Sequence, residues 1–213
     1  MEFGKAPVKY ARDRSAEWRR HEAERFVEAQ VADACKRLQM ALGECVVETR
    51  IAESAEDIAG VDLFATMESG REVPVSLRYS RATEFTEQWT REMPLRSHAS
   101  GAVSEMDRFR SGTETYEFFH RSFIDKGTDE IIGSLLVDMS KIPQEFRNRV
   151  DDNVSFKTVL DGGAHTLNSI NLTPLPEAMS FIDYELDAEK NFESLLSTTF
   201  AHLFVQEEEG FVF

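Results

Sequence analysis

Hydrophobic positions along the chain recur at two periods, and each period marks its own elements. From about Ser15 to Leu42, the residues Val27, Val31, Ala34, Cys35, Leu38 and Leu42 return every three or four positions, the spacing of one helix face, and Gly43 follows as a stop. The spacing predicts a long first helix, with Glu24 one turn before Val27 and Glu28 one turn before Val31, each at the edge of the buried stripe. Between Gly60 and Arg81 the period is two. Val61, Leu63, Ala65 and Met67 alternate with Asp62, Phe64 and Thr66, and Val73, Val75, Leu77 and Tyr79 alternate with Pro74, Ser76, Arg78 and Ser80. With Glu68 to Arg71 as the turn, this stretch reads as a β-hairpin.

Weaker signals fill in the rest. Cys45 to Ala52 reads as a strand and 53–59 as a polar connection; Glu84 to Trp89 alternates, with Phe85 and Trp89 as anchors. Residues 90–104, with Pro94, Gly101 and several serines, read as a loop or lid, and Ser104 to Phe109 as a short helix. Two strong strand signals, Thr115 to Ile124 and Ile131 to Val137, flank a turn near Gly127. Lys141 to Arg149 reads as a helix, 151–153 and 161–163 as turns, and Ser180 to Tyr184 as a last strand. Asp187 is the expected N-cap of a closing amphipathic helix carrying Phe192, Leu195, Leu196, Phe200, Leu203 and Phe204 on one face. The order predicts an α/β or α+β domain over 15–186, a central mixed sheet flanked by helices, with an arm at 1–14 and a C-terminal helix and acidic, aromatic tail at 187–213.

A chain of 213 residues can bury a sizeable core as one domain. Cys35 and Cys45 form neither a disulfide framework nor a metal-ligand spacing; each is expected to be a small buried hydrophobe in a reducing compartment, the cytoplasm. No run of 18 apolar residues and no apolar leader are present, so no membrane association is expected. The net charge of −15 argues against non-specific nucleic-acid binding by the whole surface. The charge is uneven, however. Residues 1–25 carry seven Lys or Arg against five Asp or Glu, whereas 176–213 carry one against nine. Arginines outnumber lysines 17 to 7, and a planar guanidinium suits phosphate.

The candidate chemistry sits in the hairpin. Side chains two apart on a strand share a face, so Ser76 and Arg78 point together, and Asp62 can join them across the pair. The five histidines, His21, His98, His120, His165 and His202, show no ligand spacing, and His165 is the one expected near the site. Tyr10, Arg12, Trp18, Arg19, Arg20 and Arg25 mix aromatic and basic character, as a nucleic-acid grip does.

The run Gly60-Val61-Asp62, then Val73-Pro-Val-Ser76-Leu-Arg78, then Glu84-Phe85-Thr86, after a long first helix, resembles the PD-(D/E)XK or restriction-endonuclease-like superfamily, in its viral and mobile-element members. The resemblance covers roughly 15–185 and implies a Mg²⁺-dependent nuclease. Asp62 would be the metal-ligand Asp, Glu24 the helical acid, and Arg78 and Arg81 the holders of the scissile phosphate. Two positions depart from the pattern: Ser76 stands where the family has its second carboxylate and Arg78 where it has lysine. Serine is a poor Mg²⁺ ligand, and arginine cannot act as a base. Either another acid, such as Glu48, Glu72 or Glu84, has moved into the metal shell, or the fold persists without cleavage as a pseudoenzyme. The alternative function is a non-catalytic assembly subunit that contacts a protein partner through the closing helix and tail.

Overall fold

A computed structural model describes residues 8–10, 16–53, 56, 59–84, 89–98, 103–160 and 163–186, with side chains from Arg25 onward. The chain divides into compact units at 1–181 and 182–213, and both sheets have their core in the first. The closing helix and the tail expected at 187–213 lie outside the described residues.

Helix α1 (Ala16–Leu42) ends at Gly43, whose φ of 70° is the left-handed conformation that stops a helix. Strands β2 (Val46–Ile51), β3 (Leu63–Met67) and β4 (Glu72–Ala82) then form an antiparallel meander, with Leu63 opposite Val75 and Ala65 opposite Val73. Strand β6 (Phe118–Asp125) lies parallel to β4, and β7 (Ile131–Asp138) returns antiparallel to β6. A parallel pair needs a crossover. Residues 83–117 supply it and carry β5 (Glu92–His98) and the helix α2 (Glu105–Ser111). With β10 (Met179–Asp183), the large mixed sheet runs β10-β7-β6-β4-β3-β2. The mixed α/β class expected from the sequence is thus present.

The single sheet is not. A second sheet, ordered β1-β8-β9-β5, is built from β1 (Val8–Tyr10), β8 (Val154–Leu160), β9 (His165–Asn171) and β5. Its β1 comes from the expected arm and pairs in parallel with β8. Its β5 comes from the expected lid. Pro94 breaks the strand pattern in sequence, yet β5 is the edge of its sheet, where a residue without an N–H is tolerated. Trp89 is not a buried anchor but opens a 3-10 turn before β5 and is 38% exposed; Phe85 lies outside the described residues.

The large sheet is covered on both faces. Leu63, Ala65, Met67, Val73, Val75, Phe118 and Leu136 pack against Ala34 and Leu38 of α1. The opposite face, with Phe119, Phe123, Leu135 and Val137, packs on Met93, Leu95, Met106, Phe109 and Ile170. The stripe that α1 buries is partly polar, since Gln30, Asp33 and Arg37 are buried beside Phe26, Ala34 and Leu38, while Val27, Val31 and Cys35 are only half-buried. Partners on the sheet permit this. His120 Nε2 lies 2.9 Å from Asp33 Oδ2, Ser122 Oγ donates to the same oxygen at 3.4 Å, and Arg37 Nη2 donates to Ser180 Oγ at 2.6 Å. Cys45 is exposed rather than buried, because it leads into the sparsely covered strand β2, and Glu28 faces solvent. Among the described residues no helix is long and apolar enough to cross a membrane.

Leu38 has no exposed surface and fills the space between α1 and the sheet, whereas Val47 on β2 is 63% exposed. Truncating a buried leucine leaves a cavity, so Leu38→Ala is expected to cost about 3 kcal/mol in urea unfolding, and Val47→Ala less than about 0.5 kcal/mol. Equal costs would contradict this packing.

Candidate functional site

The site starts from a tight turn. Gly60 has a φ of 99°, where a β-carbon would be strained, and the chain leaves it straight into the ladder: Asp62 N donates to Val75 O at 2.9 Å, and Ala52 N to Asp62 O at 3.1 Å. Asp62 therefore sits across from Ser76. Its Oδ2 accepts from Ser76 Oγ at 3.1 Å, Leu77 N at 2.7 Å and Arg78 Nη1 at 3.0 Å. The three groups expected to converge do meet on one oxygen.

Arg78 reaches further. Its Nη2 donates to Glu105 Oε1, while Glu105 Oε2 accepts from Arg96 N at 2.8 Å. The guanidinium thus spans two carboxylates, with side-chain exposures of 16% for Arg78, 25% for Asp62 and 13% for Glu105. Glu105 is the first residue of α2, where the helix N-terminus favours negative charge. A capping box fixes that terminus, because Ser104 Oγ accepts from Asp107 N at 3.2 Å and Asp107 Oδ2 accepts from Ser104 N at 3.0 Å. Burial alone would lower the pKa of Arg78, but Glu105 and Asp62 outweigh it and hold it above the ordinary value. Burial likewise opposes the charge of Glu105, yet Arg78 and the Arg96 N–H keep its carboxyl below the usual range.

Arg121 occupies the same rung. It pairs with Arg78 in the β4–β6 register and so lies on the same sheet face. It is 9% exposed. Its Nε donates to Ser80 Oγ at 2.9 Å and its Nη1 to Glu92 O at 2.8 Å, and the guanidinium lies 4.8 Å from the centre of the Phe123 ring. Among the described residues it forms no ion pair. Burial pushes its pKa down to about 10, the charge of Glu92 offsetting part of this, so it remains a cation at neutral pH.

Both arginines line a cavity of about 840 Å³. One wall is β4 and β6, with Asp62, Arg78, Ser80 and Arg121; the other is the second sheet, with Pro94, Arg96, Phe156, Thr158, Leu167 and Ser169. Trp89 comes from the turn into β5 and Glu92 opens that strand, while Val27 and Gln30 of α1 line the cavity together with Leu77 and Tyr79, which alternate with Arg78 onto the other face of β4. Cationic, aromatic and hydrogen-bonding groups thus converge on one space.

Other expected site residues fall elsewhere. Arg81 is three positions from Arg78, so the pleat turns it to the opposite face, where it pairs with Asp129 and lies 5.5 Å from the Phe26 ring centre. One phosphate therefore cannot be held by both. Glu24 is on α1, but its side chain lies outside the described residues. Glu48, Glu72 and Glu84 are exposed, and Glu72 is 3.7 Å from Arg50. The acid that approaches Asp62 is Glu105, whose signal in the sequence is the capping pattern from Ser104 to Asp107.

The Mg²⁺ that the resemblance implies would need carboxylate oxygens able to turn toward it. Asp62 Oδ2 already accepts three donors, both Glu105 oxygens are engaged, and the Arg78 guanidinium stands between the two acids. Arg78 supplies the charge that an ion would bring and would repel one placed there, so these residues do not fit a divalent ion. Among the described residues no three of His, Cys, Asp and Glu cluster in metal-binding geometry. Neither a family model nor a curated protein matches the chain.

The lowered pKa of Glu105 sets a pH dependence. Its contribution to stability is fully present above the unfolded value near 4.5 and is lost as pH falls through the lower folded value. Glu105→Gln is therefore expected to cost on the order of 3 kcal/mol at pH 7 by thermal or urea unfolding, with the gap to wild type narrowing below the unfolded value. A gap that stays constant down to acid would refute the pairing.

Proposed function

We propose that the chain is a nuclease-fold protein that holds single-stranded nucleic acid in the cavity between its sheets without cutting it. The observation that carries this reading is the pair of arginines on one rung: Arg78 is paired with two carboxylates, while Arg121 faces the same cavity and forms no ion pair among the described residues, the charge of Glu92 only partly offsetting its burial. A buried cation gains most from an anion delivered to it, and a phosphodiester is an anion with two acceptor oxygens that match a guanidinium. Arg96 adds a second cation on the facing wall, and Trp89 offers a ring on which a base can stack. The volume, about 840 Å³, suits one or two nucleotides and is too small for a duplex.

The order of α1, the strand that follows Asp62, a turn and the Ser76-Arg78 strand supports descent from a nuclease, as the sequence resemblance implies. The closed contact of Asp62, Arg78 and Glu105 supports the loss of cleavage. Binding is then electrostatic and confined to the cavity, which reconciles it with the net charge of −15.

Fluorescence anisotropy with labelled single-stranded DNA and RNA at low salt tests the reading, with Mg²⁺ or Mn²⁺ present and gels run in parallel. Binding without cleavage is expected, weakening as salt rises, and Arg96→Ala, an exposed position, should raise Kd by about tenfold. Arg121→Met, which keeps bulk in the buried position, should do the same. No binding at low salt, or binding that both variants leave intact, would sink the proposal. Metal-dependent cleavage abolished by Asp62→Ala would show instead that the nuclease chemistry survives.

A further inference from the structure

Two histidines 67 positions apart meet on the second sheet. The β5–β9 register places His98 directly opposite His165, and their Nδ1 atoms lie 2.8 Å apart, with ring centroids at 4.8 Å and planes at 74°. The same register pairs Arg96 with Leu167 and Pro94 with Ser169. Those four residues line the cavity, and alternate residues share a face, so the histidine pair continues the cavity wall one rung beyond its lining. Both rings are half-buried.

We infer that His98 and His165 form a binding site for a divalent first-row transition ion, with copper or nickel the best fit. Two imidazole nitrogens face one another here at a distance that only a shared proton or a shared ion makes favourable. Metal–nitrogen bonds of about 2.0–2.1 Å across this gap enclose an angle of about 86°, close to the right angle between neighbouring ligands in square-planar or octahedral geometry. Tetrahedral zinc would need the nitrogens to separate to about 3.3 Å, a small opening of the pair. Imidazole selects against Mg²⁺, which takes oxygen ligands, so this site differs in chemistry from the ion implied at Asp62. With both rings neutral, the proton on one Nδ1 moves through solvent to that ring's Nε2 as the ion binds, leaving two Nδ1 lone pairs for the metal. The rings turn so that these converge, and water fills the remaining positions. The site stands apart from the nucleic-acid reading, although an ion here would lie beside any anion in the cavity.

Isothermal titration of chelator-stripped protein with Cu²⁺, Ni²⁺ and Zn²⁺ at pH 8, and with Mg²⁺ as control, decides the matter. One ion is expected to bind per pair, with no response to Mg²⁺, and His98→Ala and His165→Ala should each weaken binding by more than about tenfold. Thermal melts of both variants establish folding, and His98→Asn, which keeps a polar side chain of similar reach, guards against a packing defect. Bound Cu²⁺ should show imidazole nitrogen coupling in its electron paramagnetic resonance spectrum, lost in the variants. Wild type that fails to bind, variants that bind like wild type, or binding removed by His21→Ala or His202→Ala instead would each overturn the assignment.

Discussion

The contact of Arg78 with Asp62 and Glu105 ties the β3–β4 pair to the helix of the crossover. Asp62 belongs to the connection into β3, Arg78 to β4, and Glu105 to the helix that the crossover carries over the sheet. A guanidinium this buried would be costly alone, and two carboxylates this close would repel one another; each makes the other tolerable. Such a contact contributes little net stability compared with an apolar triad of the same volume. Its effect is on position. It holds the N-terminus of α2 against the middle of β4, and α2 then places Met106 and Phe109 in the core between the sheets.

The two faces of the large sheet solve the problem of buried polarity differently. Under α1, Asp33 hydrogen-bonds with His120 and Ser122 and Arg37 with Ser180, and these bonds fix how the helix lies on the sheet. Toward the second sheet, Arg78 is paired with two carboxylates, but Arg121 is held by a hydroxyl and main-chain carbonyls, with only the nearby charge of Glu92 to offset its own. Polar groups that satisfy one another belong to the fold. A buried charge without an ion pair still has binding energy to give.

The strength of each local signal decides how much of the fold the sequence discloses. The Gly60 to Arg81 hairpin, α1, the core of β6 and β7, and the capped helix after Ser104 are set by period, turn residues and caps within a few positions, and all are present. The second sheet is hidden because its strands lack an apolar alternation: β8 carries Ser155, Lys157 and Thr158, β9 carries His165, Asn168 and Ser169, and β5 has Pro94. With β5 taken for a loop, His98 has no route to His165, nor Arg96 to the cavity. At the site, Asp62, Ser76 and Arg78 are within reach of strand periodicity, whereas Glu105 and Arg121 arrive through the crossover and the parallel register. Arg81 is the counterexample: its odd spacing from Arg78 already puts it on the other face, so the same periodicity separates the two arginines.

The cavity itself follows from unequal strand lengths. β3 has five residues and β4 eleven, so the ladder between them ends at Leu63 and Val75 while β4 runs on beside β6 to Ala82. Past that point Asp62 turns its carboxylate across the end of the ladder and accepts the Leu77 N–H that a further β3 residue would have taken. Arg78 and Ser80 then project where no third strand covers them, and Arg121 joins them from β6. A β3 longer by two residues would extend the ladder and fill this space. The short strand therefore both ends the sheet's regular pairing and opens a place where its charged face meets a volume large enough for a ligand.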